Sequence, residues 1–126
     1  MKIIVNTTSM IPIYEQIVEQ VKTMILDGTL TQESLLPSVR TLAKELKISA
    51  LTVKKAYDNL EADGFTVTVH GKGTYVNTID PGLLLEQRQK EVEADLEMAI
   101  QKGRACNLND EELKQMFLLL LEDEIC

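Results

Sequence analysis

Five basic side chains crowd into residues 38–55: Arg40, Lys44, Lys47, Lys54 and Lys55 stand there against a single acid, Glu45, a local charge of +4. Cations at that density suit the neutralisation of phosphate. Each Lys or Arg that meets a phosphate releases a condensed counterion, and an Arg can also read guanine O6 and N7 through paired hydrogen bonds. Ser38, Ser49 and Thr52 lie among them and offer hydroxyls able to reach phosphates or base edges. A further cation, Lys72, sits in His70-Gly71-Lys72-Gly73, where glycine lets backbone approach a partner closely. In isolation, lysines on a helix are an ordinary solvated face and such a glycine tip an ordinary tight turn. Arg40 in isolation could simply pair with Glu45 or Asp63. Only the joint placement of these groups on the elements that carry them is informative.

Other chemistries find no support. Cys106, Cys126 and the one histidine, His70, are too far apart in sequence to form a metal-ligand set or a disulfide framework, so reduced thiols and no metal are expected. No paired carboxylates, nucleophile–base set or phosphate loop can be placed in a cleft, and neither an enzyme nor a cofactor is expected. No apolar run has the length to cross a bilayer, and the apolar stretch in MKIIVNTTSM is too short for a secretion signal, which points to the cytoplasm and to no membrane partner. The net charge of −7 at first opposes a nucleic-acid partner, but its distribution reverses that. Residues 1–79 hold eight basic and eight acidic side chains, and residues 80–126 hold five basic and twelve acidic. The acid belongs to the end of the chain, not to the cationic stretch.

The cations must be held by elements, and the apolar pattern supplies them. Val39, Leu42, Ala43 and Leu46 fall at i, i+3, i+4 and i+7, and Val53, Ala56, Tyr57 and Leu60 repeat that spacing, so two helices each present one apolar stripe. Only Lys47, Ile48 and Ser49 separate them, which predicts a steep crossing with Ile48 plugging the corner: a helix-turn-helix, whose second helix can enter a DNA major groove. Ser38 and Ser49 are the expected N-caps, neither in a capping box, and Asp63-Gly64 is the expected stop. The second helix then turns Thr52, Lys54, Lys55, Asp58 and Asn59 outward. Phe65, Val67 and Val69 alternate with Thr66 and Thr68 before the glycine tip, and Thr74-Tyr75-Val76 resumes strand-forming residues, which predicts a β-hairpin. Tyr14, Ile17, Val18, Val21 and Ile25 mark an earlier scaffold helix, entered near Pro12 and ended at Asp27-Gly28. Residues 2–5 are β-prone and could pair at a sheet edge or lie along the body.

Helix-turn-helix plus hairpin is a winged helix, and the residues resemble those of the GntR family of transcription regulators. The resemblance runs through Pro12-Ile13-Tyr14-Glu15-Gln16-Ile17, Leu36-Pro37-Ser38-Val39-Arg40, Leu42-Ala43, Thr52-Val53, Ala56-Tyr57, Leu60, Gly64 and Gly71-Lys72-Gly73-Thr74-Tyr75-Val76, roughly residues 10–77. It implies double-stranded DNA as partner. It also implies DNA contacts from Arg40, from Ser49, Thr52 and Lys54 at the start of the reading helix, and from His70, Gly71 and Lys72 in the wing. Ser38 and Lys55 complete the expected DNA-binding set. Three departures stand out. Thr31-Gln32-Glu33-Ser34 replaces the family's Pro-Gly-Asp-type turn, which suggests a looser loop anchored by Leu30 and Leu35. Ala50 and Leu51 stand where relatives often carry polar or basic residues, and Val69-His70 replaces a basic pair. Both of the last two lower the expected affinity of one half-site and make pairing of two chains more important.

A boundary is expected in residues 77–82, with Asp80 as cap and Pro81 as first helical residue, giving a DNA-binding domain over 1–79 and a tail over 80–126. Leu84 or Leu85, Val92, Leu96, Ala99 and Ile100 predict a helix of about 20 residues stopping near Gly103, and Asn109 should cap a last helix that begins at Asp110. Leu113, Met116, Phe117, Leu120 and Leu121 form its stripe, and Leu118 and Leu119 widen it beyond what a terminal helix can hide alone. A homodimer through Leu96, Ile100, Leu113, Met116, Phe117, Leu120 and Leu121 is therefore expected. The 47 residues from Asp80 onward leave no room for the enclosed effector pocket of larger family members. The resemblance is thus to the short YtrA-like branch, which implies a tail used for dimerisation and a repressor; because a two-fold dimer presents two recognition helices, an inverted-repeat operator is expected. The rival expectation is a winged helix used for protein–protein binding, with the acidic tail as its docking surface.

Overall fold

The computed structural model describes residues 1–78 and 80–123, with α1 (Ile13–Leu26), α2 (Val39–Leu46), α3 (Ala50–Ala62), β1 (Thr66–Val69), β2 (Gly73–Val76), α4 (Pro81–Ala105) and α5 (Asp110–Asp123) in order. The fold is α+β and mostly helical, a winged helix-turn-helix followed by two helices. The chain forms two compact units, Met1–Leu85 and Glu86–Cys126. Ile79, inside the expected boundary, and Cys126, expected as a reduced thiol, lie outside the described residues.

In the first unit α1 is capped at Pro12 and closes at Asp27, with Gly28 at φ +85° beyond it. It buries Ile17, Val18 and Val21 against α3. Both reading helices start where a serine hydroxyl can accept an otherwise unpaired amide: Ser38 Oγ takes the Thr41 N–H at 3.1 Å, and Ser49 Oγ takes the Leu51 N–H at 3.1 Å. Leu42, Ala43, Val53, Ala56, Tyr57 and Leu60 form one buried core with the α1 residues, and Ile48 packs against it from the turn. Lys47 turns the chain between the helices by taking the left-handed conformation, φ 57° and ψ 47°.

Residues 2–5 form no strand. They lie along α1, whose Gln16 and Gln20 side chains act as backbone surrogates: Gln20 bonds both the N–H and the carbonyl of Ile4, at 3.0 and 2.7 Å, and Gln16 does the same for Asn6, at 2.8 and 3.0 Å. Ile3 is thereby held in the core.

The hairpin pairs Thr66 with Val76, Val67 with Tyr75, Thr68 with Thr74 and Val69 with Gly73. Its inner face is not the apolar one that the alternation suggests. Thr66 and Val76 are buried beside Phe65, whereas Val67 and Val69 are exposed. The loop before α2 requires a correction. It is not loose: Ser34 N–H and Oγ both donate to the Thr31 carbonyl, at 3.2 and 2.6 Å, while Glu33 N–H donates to Val76 and Val76 N–H to Ser34, each at 2.9 Å. Leu35 anchors the loop through its backbone and not through a buried side chain. It is exposed and meets Tyr75 only as a backbone bridge, while Leu36 fills the core position. The tight path needs a left-handed residue, and Glu33 supplies it at φ 65°.

Asp80 precedes α4 as expected, its Oδ1 accepting from Gly82 N–H at 2.9 Å. Leu84, not Leu85, is the buried member of that pair. The helix is longer than expected, 25 residues, and runs through Gly103 to Ala105. Gly103 is a packing residue here and not a stop: it is buried, and any Cβ on it would collide with the Leu113 side chain of α5. Asn107, at φ 66°, makes the actual turn. Asn109 then caps α5 in a reciprocal box, its Oδ1 accepting from Glu112 N–H at 2.8 Å while Glu112 Oε1 accepts from Asn109 N–H at 3.1 Å.

Candidate nucleic-acid interface

On α3 the outward stripe is Leu51, Lys54, Lys55 and Asp58, at i, i+3, i+4 and i+7, while Thr52 and Asn59 are half-buried at its flanks. Both cations of this stripe are already engaged. Lys54 Nζ lies 3.0 Å from Asp58 Oδ2, with both side chains well exposed, a pair of little energetic consequence that a phosphate can displace. Lys55 Nζ sits 4.0 Å above the Tyr14 ring of α1, a cation–π contact that holds the ammonium against the scaffold helix.

Arg40, in the first turn of α2, is exposed and pairs with neither Glu45 nor Asp63; no described residue forms an ion pair with it. Lys44, Lys47 and Lys72 are likewise exposed and unpaired among the described residues. At the wing tip, Lys72 N–H donates to the Val69 carbonyl at 2.9 Å across a turn whose third residue, Gly71, has φ +79°. That left-handed position is natural for glycine, and it leaves His70 and Lys72 exposed on either side of it. Ser38 and Ser49 are exposed as well, but their hydroxyls serve first as helix caps.

Three positioning contacts carry no signal in the sequence beyond residue type, because each joins residues that only the fold brings together. Tyr57 of α3 donates its hydroxyl to the Pro37 carbonyl at 2.7 Å, one residue before the cap of α2, and so ties the reading helix to the segment that presents Arg40. Burial, and secondarily the charge of Glu45, pushes the Tyr57 hydroxyl far above its ordinary pKa, so it stays a neutral donor. Lys22 of α1 is buried, bonds Asp63 at 2.7 Å and lies over the Phe65 ring, which joins the scaffold helix to the junction of α3 and β1. This cation is spent internally and adds nothing to the surface. Glu61 accepts from the Thr68 N–H and hydroxyl, at 3.2 and 3.3 Å, fixing β1 to α3 and covering part of the strand's free edge.

In the second unit, Leu96, Ile100, Met116, Phe117, Leu120 and Leu121 are all exposed, and Leu113 is half-buried over Gly103. Between α4 and α5 lies an open groove of about 420 Å³, lined by Leu96, Ala99, Ile100, Leu113 and Phe117, with Arg104 and Asp110 at its rim. It is an exposed apolar face and not an enclosed chamber. Among the described residues no group of His, Cys, Asp and Glu could hold a metal ion, and no helix is long and apolar enough to cross a membrane.

Comparison with known proteins agrees with this geometry. The family model described as bacterial regulatory proteins, gntR family, matches residues 13–76. The chain is 34% identical over 111 residues to the HTH-type transcriptional repressor YtrA of Bacillus subtilis, covering 88% of this chain and 85% of that protein. It is 44% identical over 73 residues to the repressor NagR of the same organism, of whose length it spans only 30%. Among solved structures, one described as a transcriptional antiterminator from Listeria monocytogenes superposes over 100% of this chain and 94% of its own, with a TM-score of 0.65 and 31% identity. The DNA-binding domain of AraR, solved in complex with operator ORX1, matches 60% of this chain and 94% of its own, with a TM-score of 0.54 and 26% identity.

Proposed function

The chain belongs to the gntR family of bacterial regulatory proteins, and from that premise we propose that it is a sequence-specific DNA-binding repressor that holds an inverted-repeat operator as a homodimer. Residues 1–79 are the DNA-binding domain in this reading, and residues 80–126 the dimerisation region. The observation that carries it is the placement of unpaired cations. Arg40, Lys44, Lys47 and Lys72 project from α2, the turn after it and the wing tip, while the acids concentrate in the tail. Arg40, Thr52 and Lys54 would meet base edges or the phosphates that set register. Ser38, Ser49, Lys55, His70, Gly71 and Lys72 would meet backbone and the adjacent groove. The AraR domain, which was solved on its operator, supports DNA as the ligand, and the names of YtrA and NagR support repression. The exposed leucine face of α5 and the groove beside it support a second copy as the tail's partner. The protein would act in the cytoplasm.

Selection of bound duplexes from a random library with the purified protein tests this directly. The expected consensus is an inverted repeat whose half-sites lie about one helical turn, or a multiple of it, apart. A single asymmetric half-site would contradict the dimer on DNA. A library without enrichment would contradict DNA binding itself and leave the acidic tail as a protein-docking surface.

A further inference from the structure

Leu51 is the most solvent-exposed residue of its type on the reading helix and the least explained by folding. It is 78% exposed. It leads the outward stripe Leu51, Lys54, Lys55, Asp58, directly opposite the buried stripe of Val53, Ala56, Tyr57 and Leu60. It lies in the first turn of α3, and its N–H is already satisfied by the Ser49 cap, so that end of the helix is held in place. An isolated exposed leucine elsewhere would need no explanation. Here it lies on the outward face of the first turn of α3, the part of a recognition helix whose residues contact base edges in a major groove.

In the major groove one base carries an apolar feature, the C5-methyl group of thymine, and it is read by apolar contact. The neighbours of Leu51 are suited to the backbone around such a contact: Lys54 and Lys55 one turn on, and Ala50 too short to compete. We propose that Leu51 is a specificity-determining residue that reads a thymine methyl in each half-site, so that the operator places an A·T pair opposite the start of α3. The inference rests on the DNA-binding reading above and adds the identity of one base pair. It also changes the meaning of an apolar residue in this place: Leu51 forgoes a hydrogen bond to a base in exchange for discrimination by a single methyl group.

The test uses the full-length protein and the duplex selected from the random library. Each thymine of one half-site is replaced in turn by uracil, which removes the methyl and leaves base pairing intact. For the unaltered protein, one such replacement should weaken binding about four-fold, the effect of leaving one methyl group unburied. Leu51→Ala should bind the thymine duplex several-fold more weakly and show no difference between thymine and uracil at that position. Because Leu51 lies outside the core, thermal unfolding of the variant should match that of the parent, and Leu51→Met, which keeps an apolar tip, should retain the thymine preference. Equal weakening on uracil substitution in the parent and Leu51→Ala, or no thymine whose methyl matters, overturns the proposal while leaving DNA binding intact. Failure to bind any duplex overturns both.

Discussion

Single residues in this fold play parts that their types alone do not announce. Thr66 is 2% exposed, and its hydroxyl finds no hydrogen-bond partner among the described residues. A buried polar group without a partner costs about 1–3 kcal/mol. Thr66→Val, of the same shape without the hydroxyl, should therefore stabilise the first unit by about 1 kcal/mol, seen as a higher urea midpoint at unchanged slope. Tyr57 is the opposite case, a buried hydroxyl that is satisfied. Tyr57→Phe removes the hydrogen bond to the Pro37 carbonyl and should cost about 0.5–1.5 kcal/mol at neutral pH. The pH dependence has a definite sign. The folded pKa is raised above the ordinary 10.0, so above pH 10 the unfolded chain releases a proton that the folded chain keeps. This contribution to stability is complete below pH 10 and falls as the pH rises, by up to about 1.4 kcal/mol per unit. Urea titrations at pH 8 and pH 11 should show the gap between Tyr57→Phe and the parent closing at the higher pH.

At the scale of elements, what was legible in the sequence was what is local. The Ser38, Ser49 and Asn109 caps, the glycine stops at 28 and 64 and the two apolar stripes of the helix-turn-helix each depend on residues within a turn of one another, and each stands where expected. The candidate site was legible to the same degree. Its cations could be assigned to helices, but not their partners: Asp58 for Lys54 is local, whereas Tyr14 for Lys55 comes from another helix. The hairpin could be found but not oriented, since a period of two gives two faces without saying which is inside, and here Phe65 and Thr66 are buried in succession. The path of residues 2–5 follows from a coincidence of lengths. Two residues of extended chain, about 6.6 Å, match the four-residue rise of about 6 Å between Gln16 and Gln20 on a helix, so two amides can grip two backbone sites. Gly103 misled because glycine serves both as a terminator and as a residue that allows close approach. Gly103→Val should show which matters. It adds bulk where Leu113 sits and should destabilise the second unit by about 1–3 kcal/mol. Amide exchange in α5 should rise while that of α1 and α3 stays unchanged.

The whole molecule divides its charge as it divides its task in the proposed reading, with the cations on the helix-turn-helix and wing and the acids on the tail. Leu118, Leu119, Leu120 and Leu121 are each about half exposed or more on α5, an apolar surface that one chain leaves in water. Replacing Leu120 and Leu121 with glutamate should convert a dimer into a monomer in sedimentation at tens of micromolar, with the first unit still folded by thermal unfolding and binding to an inverted repeat greatly weakened. DNA recognition by the helix-turn-helix and wing is tested most sharply by a binding titration on the selected duplex and on a scrambled one, at several salt concentrations, for the parent, Arg40→Ala and Lys72→Ala. The parent should bind the selected duplex more tightly and show a steep fall of affinity with salt. Arg40→Ala should weaken binding by about 1–3 kcal/mol and relax preference at one position of each half-site. Lys72→Ala should weaken both duplexes alike and lower the salt slope by about one for each phosphate it no longer neutralises. Equal affinity of the parent for the two duplexes, or affinity independent of salt, would contradict sequence-specific DNA binding.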